Sequence, residues 1–342
     1  MKLRALAVAI LPALLCGADL DSTIAERMQA LKVPAVSVAV LDGGKPLWAR
    51  GYGAGVNAET VFQAASLSKH VAALIALRLA DEGKLSLDED VNRKLRTWKI
   101  PENEFTKTEK VTLRRLLNHS AGLTVHGFAG YASGTPVPSL IQVLDGVRPA
   151  NSQAVRVDMV PGSQWRYSGG GYEVVQQLIL DVTGRSFADL ARTLIFEPLG
   201  MKRSTFEQPL PAGWEGNAAI GHRPDGTMLP GRWHTYPELA AAGLWTTPSD
   251  LTRIILEIQA GGGRILKPAT QKQMLTRLLG NYGLGLGIED KAFSHGGANE
   301  GFRCSMIGYL TGGRGIVVMT NSDSGSRLAT EIQRKIAADR GW

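Results

Sequence analysis

Cysteine is almost absent from this 342-residue chain, which holds only Cys16 and Cys304. A fold stapled by several disulfides is therefore excluded, and no Cys-x-x-Cys spacing exists for zinc or dithiol chemistry. His-Glu-x-x-His is missing too, and the six histidines show no ligand spacing, so neither a metal nor another cofactor is expected. Aromatic residues make up only 6% of the chain, and lysines and arginines are scattered, without a basic run or an interleaved aromatic platform. Nucleic acid is therefore not an expected partner. The formal charge of +7 points instead to weak attraction toward anionic envelope polymers or lipid surfaces. Repeats and low-complexity tracts are also lacking. With 44% hydrophobic and 20% charged residues, the chain has the makeup of one globular core, or of one core carrying an inserted subdomain. Oligomeric state is left open by all of this.

Residues 1–18 stand apart from that core. Lys2 and Arg4 precede an uncharged apolar run from Ala5 to Leu15, and Cys16-Gly17-Ala18 then places small residues at −3 and −1. This is the layout of a cleavable secretory signal peptide, and the run is too short to span a membrane. Leu15 stands where a lipoprotein anchor would need a small residue. The expectation is thus a secreted or periplasmic protein, cut after Ala18, with residues 19–342 forming the mature domain. Cleavage would remove Lys2, Arg4 and Cys16, lowering the formal charge from +7 to +5 and leaving Cys304 alone.

Hydrophobic patterning divides the remainder. After a helix near Ile24–Leu31, Ala35–Leu41 reads as a strand that turns through Asp42-Gly43-Gly44 into Pro46–Arg50. Ser66–Glu82 is apolar on most faces and predicts a buried central helix. Further helices are expected at Leu113–Asn118, Tyr172–Thr183 and Phe187–Phe196, and one begins at Thr247-Pro248-Ser249-Asp250 with a capping hydroxyl and an early proline. The apolar stretches Tyr282–Ile288, Ala292–His295, Cys304–Leu310 and Gly315–Thr320 suit an antiparallel meander, closed by a helix over Leu328–Ala338. The fold expected is α/β. One antiparallel sheet is assembled from both ends of the chain (about 19–65 and 240–342), flanked by helices, with a mostly helical insertion over about 66–239.

The chemistry begins at Ser66, three residues before Lys69. Positions i and i+3 share a helix face, so an amine can meet a hydroxyl there. Serine is a poor nucleophile until a base takes its proton, and lysine serves as that base only when its environment disfavours the charged form. Acyl transfer also needs a proton donor for the leaving group and N–H donors for the oxyanion. Tyr167, in a loop just before a helix, is a candidate for the first, and packing is its other reading. His295-Gly296-Gly297-Ala298 ends a strand where glycines would let a substrate lie against the backbone.

These segments, with four others, carry a resemblance. Leu116-Leu117-Asn118-His119-Ser120-Ala121-Gly122-Leu123, Glu197-Pro198-Leu199-Gly200-Met201, Ala241–Leu251, Tyr282-Gly283-Leu284-Gly285 and His295–Phe302 occur in the order seen in the serine β-lactamase and penicillin-binding-protein-like superfamily. Its class C-like branch is the most similar part, and includes DD-peptidases, D-aminopeptidases and family VIII-type carboxylesterases. The resemblance implies a hydrolase working through an acyl-serine intermediate on a small-molecule ester, peptide or β-lactam. It implies Ser66 as nucleophile, Lys69 as base, Tyr167 as proton donor, and the N–H groups of Ser66 and Ala298 as the oxyanion hole. His295-Gly296-Gly297 would replace the Lys-Thr-Gly of the active-site strand, and His222 would fall where relatives often have a cleft-lining tyrosine.

Two departures shape the expected activity. Gly169 stands where the family's Tyr-x-Asn element has its asparagine, and His295 replaces a permanently charged lysine with a titratable ring. Both favour an esterase or relaxed peptidase over a class C-like β-lactamase or DD-carboxypeptidase. A catalytically silent scaffold is the competing reading, opposed by the joint presence of Ser66, Lys69 and Tyr167. His70, about 100° round the helix from Lys69, reads as a packing residue, as do His119 and His126. Gly283-Leu284-Gly285-Leu286-Gly287 reads as a glycine-rich strand rather than a nucleotide loop. Trp165, Trp233 and Trp245 are read either as cleft walls or as packing.

Overall fold

The computed structural model describes residues 13–342. Residues 1–12, most of the expected signal peptide, lie outside the described residues, and the first helix, α1 (Ala13–Ala30), runs through the expected cleavage point. Strand β1 (Val36–Asp42) is inaccessible along almost its whole length, as its unbroken Val-Ser-Val-Ala-Val-Leu run requires of a strand covered on both faces. It turns at Gly43 and Gly44, both at positive φ, into the edge strand β2 (Lys45–Tyr52).

The rest of the main sheet comes from the other end of the chain: β5 (Gly287–Ile288), β6 (Ala292–Asn299), β7 (Phe302–Tyr309) and β8 (Gly315–Thr320). Its order is β2-β1-β8-β7-β6-β5, antiparallel at every step. This is the α/β architecture the sequence predicts. On one face, α1 and the C-terminal helix α12 (Gly325–Asp339) bury Leu20, Ile24, Leu328 and Ile332 against β1 and β8. The opposite face carries the larger core.

The middle of the chain is helical: α2 (Ser68–Asp81), α3 (Leu113–Leu117), α4 (Leu140–Asp145), α5 (Gly169–Thr183), α6 (Phe187–Ala191), α7 (Glu197–Leu199), α8 (Ala212–Glu215) and α9 (Leu239–Ala242). Then follow α10 (Pro248–Gln259), capped by Thr247 Oγ1, and α11 (Pro268–Met274). Two small strands tie the two parts together. In β3 (Phe62–Gln63) and β4 (Trp245–Thr246), Gln63 pairs with Trp245, and the Ala64 N–H donates to Leu244 O at 2.8 Å.

Two expectations are revised. The helix expected from Ser66 opens instead as a 3-10 turn over Ala65–Leu67, with α2 starting at Ser68. The strand expected over Tyr282–Ile288 shrinks to Gly287–Ile288. Its glycines fold it inward instead: a Cβ on Gly283 would lie 2.2 Å from Met274 O, and Gly285 has φ +95°. Leu284 N–H donates to Met274 O and Gly285 N–H to Leu117 O, bonds that a straight strand would have given to a neighbour.

Candidate active site

Ser66 sits at the centre of the 3-10 turn, preceded by Ala65 in the left-handed region at φ +50°. Such a conformation costs a non-glycine residue about 1–3 kcal/mol and persists only where its surroundings impose it. Here several bonds do so: the Ser68 hydroxyl donates to Ala65 O, the Cys304 thiol to Ala64 O at 3.0 Å, and Leu244 O accepts from Ala64 N–H. One turn on, Lys69 Nζ lies 3.0 Å from Ser66 Oγ and 2.8 Å from Ala241 O. The side chain is buried, with Nζ 5.0 Å from the centre of the Tyr167 ring and 5.7 Å from that of Tyr172.

Tyr167 reaches this point because Ser168 caps α5, accepting from Gly171 N–H, while its own N–H donates to His119 Nδ1 at 3.1 Å. That bond leaves the other ring nitrogen of His119 as the protonated one. Burial, then the nearby Lys69 charge, hold this imidazole well below its usual pKa, so it is a neutral ring 4.2 Å from that of Tyr167. His119 therefore packs, and it packs against Tyr167. His126 is also close, its ring 5.0 Å from Tyr167 on the cleft wall.

Strand β6 forms the other wall. Beyond Ser294, β5 offers it no partner, so the edge of His295-Gly296-Gly297-Ala298 is unpaired on the side facing Ser66. Gly297 passes so close to the Ala65–Leu67 turn that a Cβ would fall 2.4 Å from Ala64 O and 2.8 Å from Cys304 Sγ. His295 is buried, its Nδ1 2.6 Å from Gly296 O. A carbonyl only accepts, so Nδ1 carries the proton and Nε2, buried without a partner among the described residues, does not. Burial first, and the Lys69 charge second, push this histidine down to about 4. The expectation of a ring that gains charge near neutral pH is thus corrected, because His295 is neutral there.

At Gly169 the reason for glycine is spatial: a Cβ would meet His126 O at 3.0 Å and Phe128 Cε2 at 3.1 Å. The 126–128 loop fills the place a side chain would take. The cleft encloses roughly 1460 Å³ and is walled by Phe128, Trp165, Tyr167, Tyr282 and Ile288. Trp165 lies over Gly280, and Trp245 is fully buried against a half-buried Trp233, so the open choice between wall and packing resolves differently for each. Sequence reasoning missed Tyr282 as a wall, since its place in an assumed strand hid it. Its ring stands 5.0 Å from His119 and 6.1 Å from His295. His222 is not among the cleft-lining residues. Its Nδ1 is 3.1 Å from Asn321 O, and its backbone bridges to Ser322 and Met228. His70 is buried beside Lys69, held neutral at about 3 chiefly by burial.

The family model described as Beta-lactamase matches residues 20–339. The chain belongs to the beta-lactamase family. Among curated relatives of this family member is the D-aminopeptidase of Gluconobacter oxydans, 26% identical over 92% of this chain and 61% of that protein. Penicillin-binding protein 4 of Amycolatopsis lactamdurans is 29% identical over 52% of this chain and 47% of its own. The chain thus spans about half to three-fifths of the length of these relatives. The octameric penicillin-binding protein homologue from Pyrococcus abyssi superposes with a TM-score of 0.78 at 24% identity, covering 95% of this chain and 77% of that one. A D-stereospecific amidohydrolase from Streptomyces sp. gives 0.73 at 20% identity, over 94% and 97%. At those identities the two structures share the fold.

Proposed function

We propose that this family member is an exported serine hydrolase that cleaves uncharged esters or small peptide amides through an acyl-Ser66 intermediate. The observation that carries this reading is Lys69 Nζ, buried, at 3.0 Å from Ser66 Oγ and 2.8 Å from Ala241 O, at the foot of an unpaired strand edge. Lys69 removes the Ser66 proton as Oγ attacks the substrate carbonyl carbon. The N–H groups of Ser66 and Ala298 receive the developing oxyanion. Tyr167 gives its proton to the departing alcohol or amine and is reprotonated by Lys69. Water, losing a proton to the same pair, then attacks the acyl carbon, and that proton goes back to Ser66 Oγ as the acid leaves.

Two features favour uncharged substrates over β-lactams. No side-chain amide is available at Gly169 for an acylamino group, and the neutral His295 offers no cation to a substrate carboxylate. The names of the D-aminopeptidase and D-stereospecific amidohydrolase relatives support amides beside esters. Export rests on the basic start, apolar run and small-residue exit of residues 1–18.

Intact-mass analysis after incubation with a short p-nitrophenyl ester, a penicillin and a D-Ala-D-Ala peptide, with turnover followed in parallel, tests the reading. The expected result is an acyl adduct on the wild type, none on Ser66→Ala, and fastest turnover of the ester. Undiminished turnover by Ser66→Ala would overturn the mechanism, and faster turnover of the penicillin would overturn the substrate preference.

A further inference from the structure

The carbonyl that holds Lys69 is itself held. Ala241 belongs to α9, a four-residue helix whose free N–H groups have no turn before them to bond. Two side chains on one face of α5 take them: Ala240 N–H donates to Gln176 Oε1 at 2.8 Å, and Ala241 N–H to Glu173 Oε1 at 3.0 Å. Only the second bond falls on the same residue as the carbonyl that meets Lys69, one Cα away from it. A continuous path therefore runs from Glu173 through Ala241 to Lys69 Nζ and on to Ser66 Oγ.

Glu173 is fully buried, and its second oxygen, Oε2, finds no partner among the described residues. Nearby lies a second buried carboxyl, Glu238. Two ionised carboxylates buried in such a place would be costly. Burial, with Glu238 adding to it, pushes the Glu173 acid well above the usual carboxylate range, and burial pushes Glu238 up to about 7. The side chain at 173 thus works through its acceptor oxygen, with no ion pair to Lys69 among the contacts of the described residues.

We propose that Glu173 is a positioning residue for acylation: its acceptor oxygen fixes the Ala241 backbone, and through it the placement of Lys69 against Ser66. This rests on the acyl-Ser66 reading above. A misplacement of about 1 Å at a reacting group can cost on the order of 10²-fold in rate. The test compares Glu173→Gln, Glu173→Leu and Glu173→Asp with the wild type, using pre-steady-state acylation by p-nitrophenyl acetate, KM and thermal melting. Gln176→Leu serves as control, since it removes the same kind of bond from the neighbouring peptide.

Glu173→Gln keeps the acceptor and should hold the acylation rate within about threefold of the wild type. Glu173→Leu and Glu173→Asp, which lose the acceptor or its reach, should slow acylation by about 30- to 100-fold with KM within twofold. Gln176→Leu should lower melting temperature to a similar degree but slow acylation less than about fivefold. Should Glu173→Leu fail to fold, Glu173→Asp decides alone. Equal rate losses in Glu173→Leu and Gln176→Leu, or melting changes without a rate change, would overturn the proposal by making the role purely structural. A loss in Glu173→Gln as large as in Glu173→Leu would overturn it by showing that the charge matters. Absence of acylation in the wild type would instead fault the acyl-Ser66 reading itself.

Discussion

Gly297→Ala adds one methyl group, and the structure says where it must go. An ideal Cβ at 297 lies 2.4 Å from Ala64 O, 2.8 Å from Cys304 Sγ and 3.1 Å from Ala65 Cβ, whereas real Cβ contacts essentially never fall under 3.0 Å. The carbonyl is the decisive neighbour, being backbone, and Ala64 N–H is already committed to Leu244 O. Relief therefore demands a shift of at least ~0.6 Å in β6 or in the turn that carries Ser66, and a well-packed interior resists it at about 1–3 kcal/mol. Moving the nucleophile or the Ala298 N–H by that much should slow acylation by about 10²-fold while lowering the melting temperature by only about 2–6 °C. Single-turnover kinetics with p-nitrophenyl acetate, beside a thermal melt, reads both quantities. Adding Cys304→Ala clears the sulfur but not the carbonyl, so the double variant should recover less than about threefold. Acylation by Gly297→Ala within threefold of wild type, or full recovery in the double variant, would refute the idea that β6 fixes the nucleophile turn.

Lys69→Ala should cut acylation by at least about 10³-fold, the scale of coupled nucleophile–base units, measured by stopped-flow release of p-nitrophenol. Tyr167→Phe should slow hydrolysis of a peptide p-toluidide by about 10²-fold or more and of a p-nitrophenyl ester much less, since p-nitrophenolate leaves without a proton; equal losses would reduce Tyr167 to packing. Because His295 is held down to about 4, turnover of carboxylate-bearing esters should stay flat from pH 8 to pH 5 and gain from ring protonation only near pH 4, whereas His295→Lys should improve KM for them at neutral pH. The same depression affects stability. Between the unfolded value near 6.5 and about 4, the unfolded chain takes up a proton that the folded His295 refuses, so this contribution is lost as pH falls through that window. Glu173 and Glu238, raised in the fold, slope the other way. The measurement is therefore the stability difference between wild type and His295→Gln, which should narrow from pH 7 to pH 4.

Element type was legible wherever a hydrophobic period ran long enough. The β1 run, α5, α10 and the β6–β8 meander all stand where their apolar spacing places them. What escaped were features set by contacts between distant segments. The inward fold of 282–286 depends on Met274 O and Leu117 O, which no local pattern announces. His295 looked like a titratable group because sequence gives its type and not its burial. Ser66 and Lys69 were visible from their spacing, but the peptide of Ala241 that completes their geometry lies 172 residues from Lys69. Tyr282 and Glu173 each resemble unremarkable interior residues until the chain sets one on the cleft wall and the other behind Ala241.

The two-residue length of β5 has a consequence for engineering. An open row of backbone donors and acceptors on β6 is what a stray strand from another molecule would seek, so the proposed substrate groove is also an opening for self-association. Glu289, Asp290 and Lys291, set at the turn just before β6, place charges of both signs beside that opening. Straightening residues 283–286 to prolong β5 would satisfy the row at the loss of the Leu284–Met274 and Gly285–Leu117 bonds, and it would close the groove by the same hydrogen bonds. In this protein, completing the sheet and access to Ser66 therefore exclude one another.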